Sequence, residues 1–365
     1  LNDLTLPYEA MYVSKTTGKK SISLREICRE EDQLTIDPTS HSGFKEIGIY
    51  DIRKLIIPQY KHLITDLEKL EDHSVEDIAN ILLNKTRDYL IDSWDSNYPH
   101  VVFHSGGADS RIISYLLLEL EEEMGKDWIG DLKFLCFKPE QKQFLDVMKR
   151  QGRSKDQYHV HKINEPLNVE YYNLGKFEYN ANSFWDMSVV FWDEIIDNEK
   201  DWVVVSGIIG GVLFGYPLWK APLKTDDNRF ENFIKNAVYP NFSTGRFSVN
   251  WKDIIAPFLG YDYLETAFRV PMKYIRLHPN SKQDLIRKTM LELIGDDLPF
   301  YWGSPYNWQK TNNWIKYIKN KFLNSKLYND YIDVPFVRNA KPWAAKQPRS
   351  DEIKLYSLAT MYEGI

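Results

Sequence analysis

Between residues 101 and 110 the chain reads Val101-Val102-Phe103-His104-Ser105-Gly106-Gly107-Ala108-Asp109-Ser110, an apolar run that breaks into two glycines flanked by hydroxyls. Gly106 and Gly107 let the backbone turn tightly and aim successive N–H groups at one point. Ser105 and Ser110 add hydroxyl donors, and a helix starting behind the glycines brings its positive end to the same place. Asp109 is out of place facing a phosphate unless a divalent cation lies between them. The combination describes a pyrophosphate site with magnesium. It is neither Gly-x-x-x-x-Gly-Lys-[Ser/Thr] nor Gly-x-Gly-x-x-Gly. The plainer reading is an ordinary strand-to-helix turn. The two hydroxyls and the carboxylate directly behind a hydrophobic strand favour the anion site.

Ser-Gly-Gly-x-Asp-Ser is also the signature loop of the PP-loop ATP pyrophosphatases, and residues 105–110 match it. Within that superfamily the chain is most similar to the synthetase domain of asparagine synthetase and β-lactam synthetase. Three further stretches carry the narrower resemblance. The family's Ser-Gly-Glu-Gly-Ala-Asp-Glu-[Leu/Val]-Phe-Gly-Gly-Tyr is similar to Ser206-Gly207-Ile208-Ile209-Gly210-Gly211-Val212-Leu213-Phe214-Gly215-Tyr216. Its Pro-Phe-Leu-Asp resembles Pro257-Phe258-Leu259-Gly260. Its Lys-x-x-Leu-Arg helix, then Leu-Pro and a lysine, resembles Lys282–Arg287, Leu298-Pro299 and Lys310.

The resemblance implies a two-step reaction. A carboxylate attacks the α-phosphorus of ATP and pyrophosphate leaves; an amine or ammonia then attacks the acyl carbon and AMP leaves. Ser105, Gly106, Gly107, Asp109, Ser110, Arg111, Ser206 and Gly207 are the implied nucleotide contacts, with Asp109 also on magnesium. The lysine needed at the second step falls on Lys310 by motif position, with Lys341 and Lys346 as rivals. Too few residues precede the loop for a complete glutaminase domain, and the first cysteine is Cys28. Nitrogen would then come from free ammonia, a separate ammonia-supplying subunit, or an amine substrate.

The departures from the family pattern bear on the metal. Its acidic residues in the second motif fall on Ile208, Gly211 and Val212, and the Asp of Pro-Phe-Leu-Asp falls on Gly260, with Asp262 two residues on. Of the pair of carboxylates that hold magnesium, Asp109 alone remains, so metal binding is weakened or recruits another ligand. Two other functions stay open: a PP-loop enzyme modifying a nucleobase in tRNA or DNA, and a catalytically degenerate nucleotide-binding homologue.

Lesser candidates are weaker. His159 and His161 share one face of a strand at a spacing suited to a metal, but no third ligand is near in sequence. Cys136 is read as a buried structural residue rather than a sulfur carrier. Glu119–Glu123 reads as a solvated helix end, and the aromatics from Tyr301 to Trp314 as packing.

The elements that must position the loop follow from pattern. His100–His104, Leu132–Phe137, Tyr158–Ile163 and Trp202–Val205 read as strands, and Ser110–Glu123 and Gln141–Gln151 as helices. Ser74-Val75-Glu76-Asp77 reads as a capping box opening another helix. Strand–helix alternation predicts an α/β fold, a parallel sheet with helices on both faces; the resemblance implies that this sheet is of the PP-loop, adenine-nucleotide-α-hydrolase-like kind. Ligands in such sheets lie at the carboxyl ends of the strands, where both glycine turns fall. Short β pieces (Ile22–Leu24, Leu34–Ile36, Ile47–Tyr50) mark residues 1–75 as a small α+β region before a synthetase-like domain over 76–365. Beyond about residue 225 the expectation is mainly helical, with Lys282–Leu293 and Asn312–Asn324 clearest.

Composition sets the outer bounds. The 365 residues, 43% hydrophobic and 27% charged, suit a folded globular chain rather than a disordered one. Two cysteines make no disulfide framework, and Leu1-Asn2-Asp3 lacks the regions of a signal peptide, so a cytoplasmic chain is expected, with no membrane partner. The net charge of −6 excludes a uniformly basic, polyanion-coating surface. It averages two unlike parts: residues 301–350 carry nine Lys and Arg against Asp330 and Asp333. That segment reads first as a solvated basic face and second as a contact for ATP, pyrophosphate or nucleic acid.

Overall fold

A computed structural model describes residues 12–14, 20–21, 49–51, 67–137, 141–161, 201–207, 210–214, 225–226, 229, 233, 253–279, 284–298, 320 and 323–330. Strands β1 (Tyr12–Ser14), β2 (Lys20–Ser21) and β3 (Ile49–Asp51) form a small antiparallel sheet in the order β2-β1-β3. Of the β pieces expected in this region, Ile47–Tyr50 overlaps β3, whereas Ile22–Leu24 and Leu34–Ile36 lie outside the described residues.

Helix α1 (Val75–Ser93) opens on the expected capping box. Ser74 Oγ accepts from the Asp77 N–H at 3.1 Å, and Asp77 Oδ2 accepts from the Ser74 N–H at 3.1 Å. Two of the orphan N–H groups of a helix start are thereby satisfied. The chain then alternates: β4 (His100–Phe103), α2 (Ala108–Met124), a single turn α3 (Lys126–Ile129), β5 (Leu132–Phe137), α4 (Gln141–Arg150), β6 (Tyr158–His161) and β7 (Val203–Ser206).

A fifth strand of the large sheet, β8 (Asp253–Ile255), interrupts the otherwise mainly helical described residues beyond 225 and was not expected. At three residues it is too short for its period to register in the sequence. A buried 3-10 turn (Pro257–Leu259) and α5 (Tyr261–Arg269) follow, then α6 (Leu285–Leu293) and a short α7 (Lys326–Asp330). Lys282 and most of Asn312–Asn324 lie outside the described residues.

All four pairings in the large sheet are parallel, in the order β6-β5-β4-β7-β8. This is the α/β class expected. Neighbouring residues of a strand face opposite sides, yet Val101 and Val102 of β4 and Val203, Val204 and Val205 of β7 are all buried. Both faces of the centre are therefore covered, as parallel sheets require. α1 packs against α5 and α6, and α6 against α2, which builds one helical layer. Residues 162–200, between β6 and β7, lie outside the described residues.

One feature of the strand order bears on where a ligand would sit. Chain order runs leftward from β4 through β5 to β6, then returns to the other side of β4 for β7 and β8. The direction reverses between β4 and β7, and in open α/β sheets that crevice is where ligands bind.

Candidate functional site

β4 and β7 end level with each other, Phe103 paired with Ser206. The two glycine turns therefore leave the sheet side by side at the reversal. Ser206, the last residue of β7, is buried, and Gly207 begins the second turn. A Cβ on Gly207 would stand 2.9 Å from Asp109 Cβ and 3.1 Å from the Ser110 nitrogen, so the second turn rests directly on the start of α2.

The first turn is held from beneath. Gly106 takes φ +73°, a left-handed conformation that side chains disfavour. Its N–H donates to His104 Nδ1 at 3.0 Å. That bond makes Nδ1 the acceptor and places the proton on Nε2, which faces Ser114 Oγ at 3.2 Å. Ser114 donates to the Arg111 carbonyl and accepts from Gln151 Nε2 at 3.0 Å. Burial lowers the His104 pKa to about 3, with nearby Arg111 acting in the same direction, so the ring is neutral. Gln143 packs its stem against Gly106 from α4.

Above this base the polar groups of the loop meet. Ser105, exposed, accepts the Gly107 N–H on its Oγ at 3.1 Å. Ser110 Oγ donates to the Gly107 carbonyl at 3.1 Å and lies 3.4 Å from Ser105 Oγ. α2 begins at Gly107 with no side-chain cap, whereas α1 and α6 are both capped by side chains. The first-turn N–H groups of α2 thus point from an uncapped positive end into the crevice, a setting suited to an anion.

Asp109 has an unexpected partner. Its Oδ1 accepts from Arg287 Nη1 of α6 at 2.8 Å. Arg287 is itself anchored by Asp284, the N-cap of α6, which accepts its Nε at 2.6 Å and its backbone N–H at 2.9 Å. Burial raises the Asp109 carboxyl, and Arg287 pulls it back down. Burial by itself would lower Arg287, but Asp109 and Asp284 outweigh it and hold the guanidinium charged above its ordinary value. The backbone N–H of Gly211 also supports the Asp109 carboxylate. Tyr263, packed edge-on against Phe258, keeps its hydroxyl buried with no hydrogen-bond partner among the described residues.

Gly210 and Gly211 explain themselves by close approach. Neither has a positive φ. A Cβ on Gly210 would lie 2.3 Å from Asp109 Oδ1, and one on Gly211 would lie 2.6 Å from Arg287 Nη1. The position matching the family's Asp in Pro-Phe-Leu-Asp is also filled, while Ile208 and the side chain of Val212 lie outside the described residues. A Cβ on Gly260 would lie 2.6 Å from the Tyr89 ring, and Asp262 is exposed on α5, paired with Lys85 at 3.4 Å. Asp262 is therefore not a replacement ligand at the crevice.

Arg111, expected beside the phosphates, turns inward. Its Nη1 pairs with Asp296 Oδ2 at 3.0 Å and donates to the Leu298 carbonyl at 3.2 Å, with side chains 1% and 0% exposed. It braces α2 against the segment after α6. Cys136 is buried in β5 and His159 is exposed on β6. Glu121 and Glu123 pair with Arg153 and Arg87, so that helix end is laced with ion pairs. Lys310, Lys341 and Lys346 lie outside the described residues, as does most of segment 301–350. Among the described residues no group of three His, Cys, Asp or Glu side chains stands ready for a metal. No described helix is long and apolar enough to cross a membrane.

Arg287 closes the Lys282–Arg287 stretch, whose residue types by themselves give it no role. The signal was the lone arginine of a buried helix face, which needs an acidic partner. The sequence matches no protein-family model and no curated protein.

Proposed function

We propose that the chain is an ATP-dependent, AMP-forming carbon–nitrogen ligase, which activates a carboxylate as its adenylate and passes it to an amine or ammonia. One observation carries this reading: the turn over residues 105–110 and the chain leaving β7 at Ser206 and Gly207 adjoin at the order reversal, where the Phe103–Ser206 pairing brings them level. A phosphate chain lying there meets the uncapped start of α2 and the hydroxyls of Ser105 and Ser110. These groups are aimed in advance at the charge that grows on departing pyrophosphate, which is the main way a protein accelerates phosphorus chemistry. Lys310, with Lys341 and Lys346 as alternatives, is the proposed cation for the second step. Segment 301–350 is the proposed basic contact for polyanionic ligands.

The magnesium of the resembling family does not fit the described residues. The one carboxylate at the loop is engaged by Arg287, and a side chain at 211 would have to displace that guanidinium. This same pairing favours a second reading, a homologue that binds nucleotide without adenylating anything. ATP–pyrophosphate exchange, run with panels of carboxylates and with nucleic acids, separates them. Exchange dependent on a carboxylate supports the ligase, and exchange dependent on nucleic acid supports a nucleobase-modifying enzyme. Nucleotide binding without exchange supports the second reading, and absence of nucleotide binding removes all three.

A further inference from the structure

We propose that the guanidinium of Arg287 stands in for a divalent cation at the Asp109 loop, so that the protein holds nucleotide phosphate with no cation of its own there. The inference rests on the loop being the nucleotide site, as proposed above.

Three observations carry it. The first is volume. A side chain at 211 would start 2.6 Å from Arg287 Nη1 and 2.7 Å from Nη2, so with Gly211 the guanidinium occupies space that a carboxylate there would force it to leave. The second is the coordination of Asp109. Its Oδ1 is boxed between Arg287 Nη1 at 2.8 Å and the Gly210 backbone, where even a methyl would be 2.3 Å away. A magnesium ion needs several oxygens at about 2.0–2.1 Å in near-octahedral array, and that face of the carboxylate is closed. The third is anchorage. Arg287 is buried on α6 and held by both carboxylates, with Asp284 engaging its Nε and its backbone at once. A guanidinium so fixed stays charged across the working pH range and does not exchange with solvent ions.

The electrostatic consequence is specific. The cation that pairs with Asp109 is a permanent part of the chain, brought by α6 rather than by the ligand. The phosphate then meets N–H donors and a helix end beside a carboxylate already paired to a guanidinium that it shares with Asp284. An ion carried on the triphosphate itself gains nothing from Asp109.

Two measurements on the full chain test this. Mn2+ is titrated into the nucleotide-free protein and followed by electron paramagnetic resonance, wild type beside Asp109→Asn; Asp109→Ser serves where Asp109→Asn does not fold. Equal Mn2+ uptake in the two is expected. A stoichiometric tight site in the wild type that the variant lacks overturns the proposal. Binding of α,β-methylene-ATP is then measured by calorimetry in excess EDTA and in excess magnesium. The tightening by magnesium is expected to agree between wild type and variant within about threefold, and a larger wild-type effect overturns the proposal. If the analogue binds in neither medium, the nucleotide reading fails, while the Mn2+ titration still decides what neutralises Asp109.

Discussion

Gly210→Ala would put a methyl where the Asp109 carboxylate now stands. The new Cβ would lie 2.3 Å from Oδ1 and 2.7 Å from Cγ, against 3.0 Å as the closest approach that real Cβ atoms make. The oxygen must retreat by about 0.7 Å, which takes the 2.8 Å bond to Arg287 to the edge of hydrogen-bonding range. Two costs then combine: overpacking, about 1–3 kcal/mol, and weakening of a hydrogen bond between charged groups, about 1.5–3 kcal/mol. Because the carboxylate can relax toward the crevice, a destabilisation of about 2–4 kcal/mol is expected. Urea denaturation measures it as a lowered midpoint at unchanged slope. The cost should fall below about 0.5 kcal/mol in an Asp109→Ala background, because the colliding group is gone and the remaining Phe258 contact at 3.1 Å is mild. Equal costs in the two backgrounds would show that the carboxylate is not pinned at Gly210, and the Arg287 argument would fall with it.

Other perturbations probe the frame around the loop. Asp296→Ala strands the buried Arg111 charge and should cost about 3–5 kcal/mol in the same denaturation assay, whereas Arg111→Met with Asp296→Leu should recover most of it; equal losses would refute the pairing. His104 is neutral in the fold with a pKa of about 3, below its unfolded value, so its stability contribution is complete above about pH 6.5 and is lost as pH falls toward 3. Going from pH 7 to pH 5 should cost about 2 kcal/mol through this residue, and His104→Gln should remove that share while His100, lowered to about 4 by burial, keeps its own; an unchanged pH profile in the variant would refute it. Ser105→Ala should weaken nucleotide binding by calorimetry while shifting stability by less than about 1 kcal/mol, since its hydroxyl is exposed and makes only local bonds, to the Gly107 N–H and the Ser110 hydroxyl; unaltered affinity would remove Ser105 from the site.

Much of the frame was legible because its signals are local. Ser74 and Asp77 are three residues apart and cap α1 reciprocally, as their types imply. Leu132–Phe137 is a strand with the bounds its apolar run suggests, and the flanking helices begin and end within a few residues of expectation. β8 escaped because three residues carry no period, and its membership comes from pairing with β7.

Residue types along residues 101–110 determined by themselves that a strand would turn on glycine into a helix, since φ preference, hydrophobic run and helix propensity act over a few positions. That Ile208, Gly211, Val212 and Gly260 stand where the resembling family has acidic residues was equally plain in the sequence. What Asp109 pairs with was decided only in three dimensions. Arg287 lies 178 residues from Asp109, and the contact exists because α6 packs on α2 beside the reversal in strand order. The inward turn of Arg111 depends likewise on Asp296, brought to it from the far end of α6. A charge is recognisable from its side chain, but its counter-charge in a buried site is whatever the packing brings within a few ångströms.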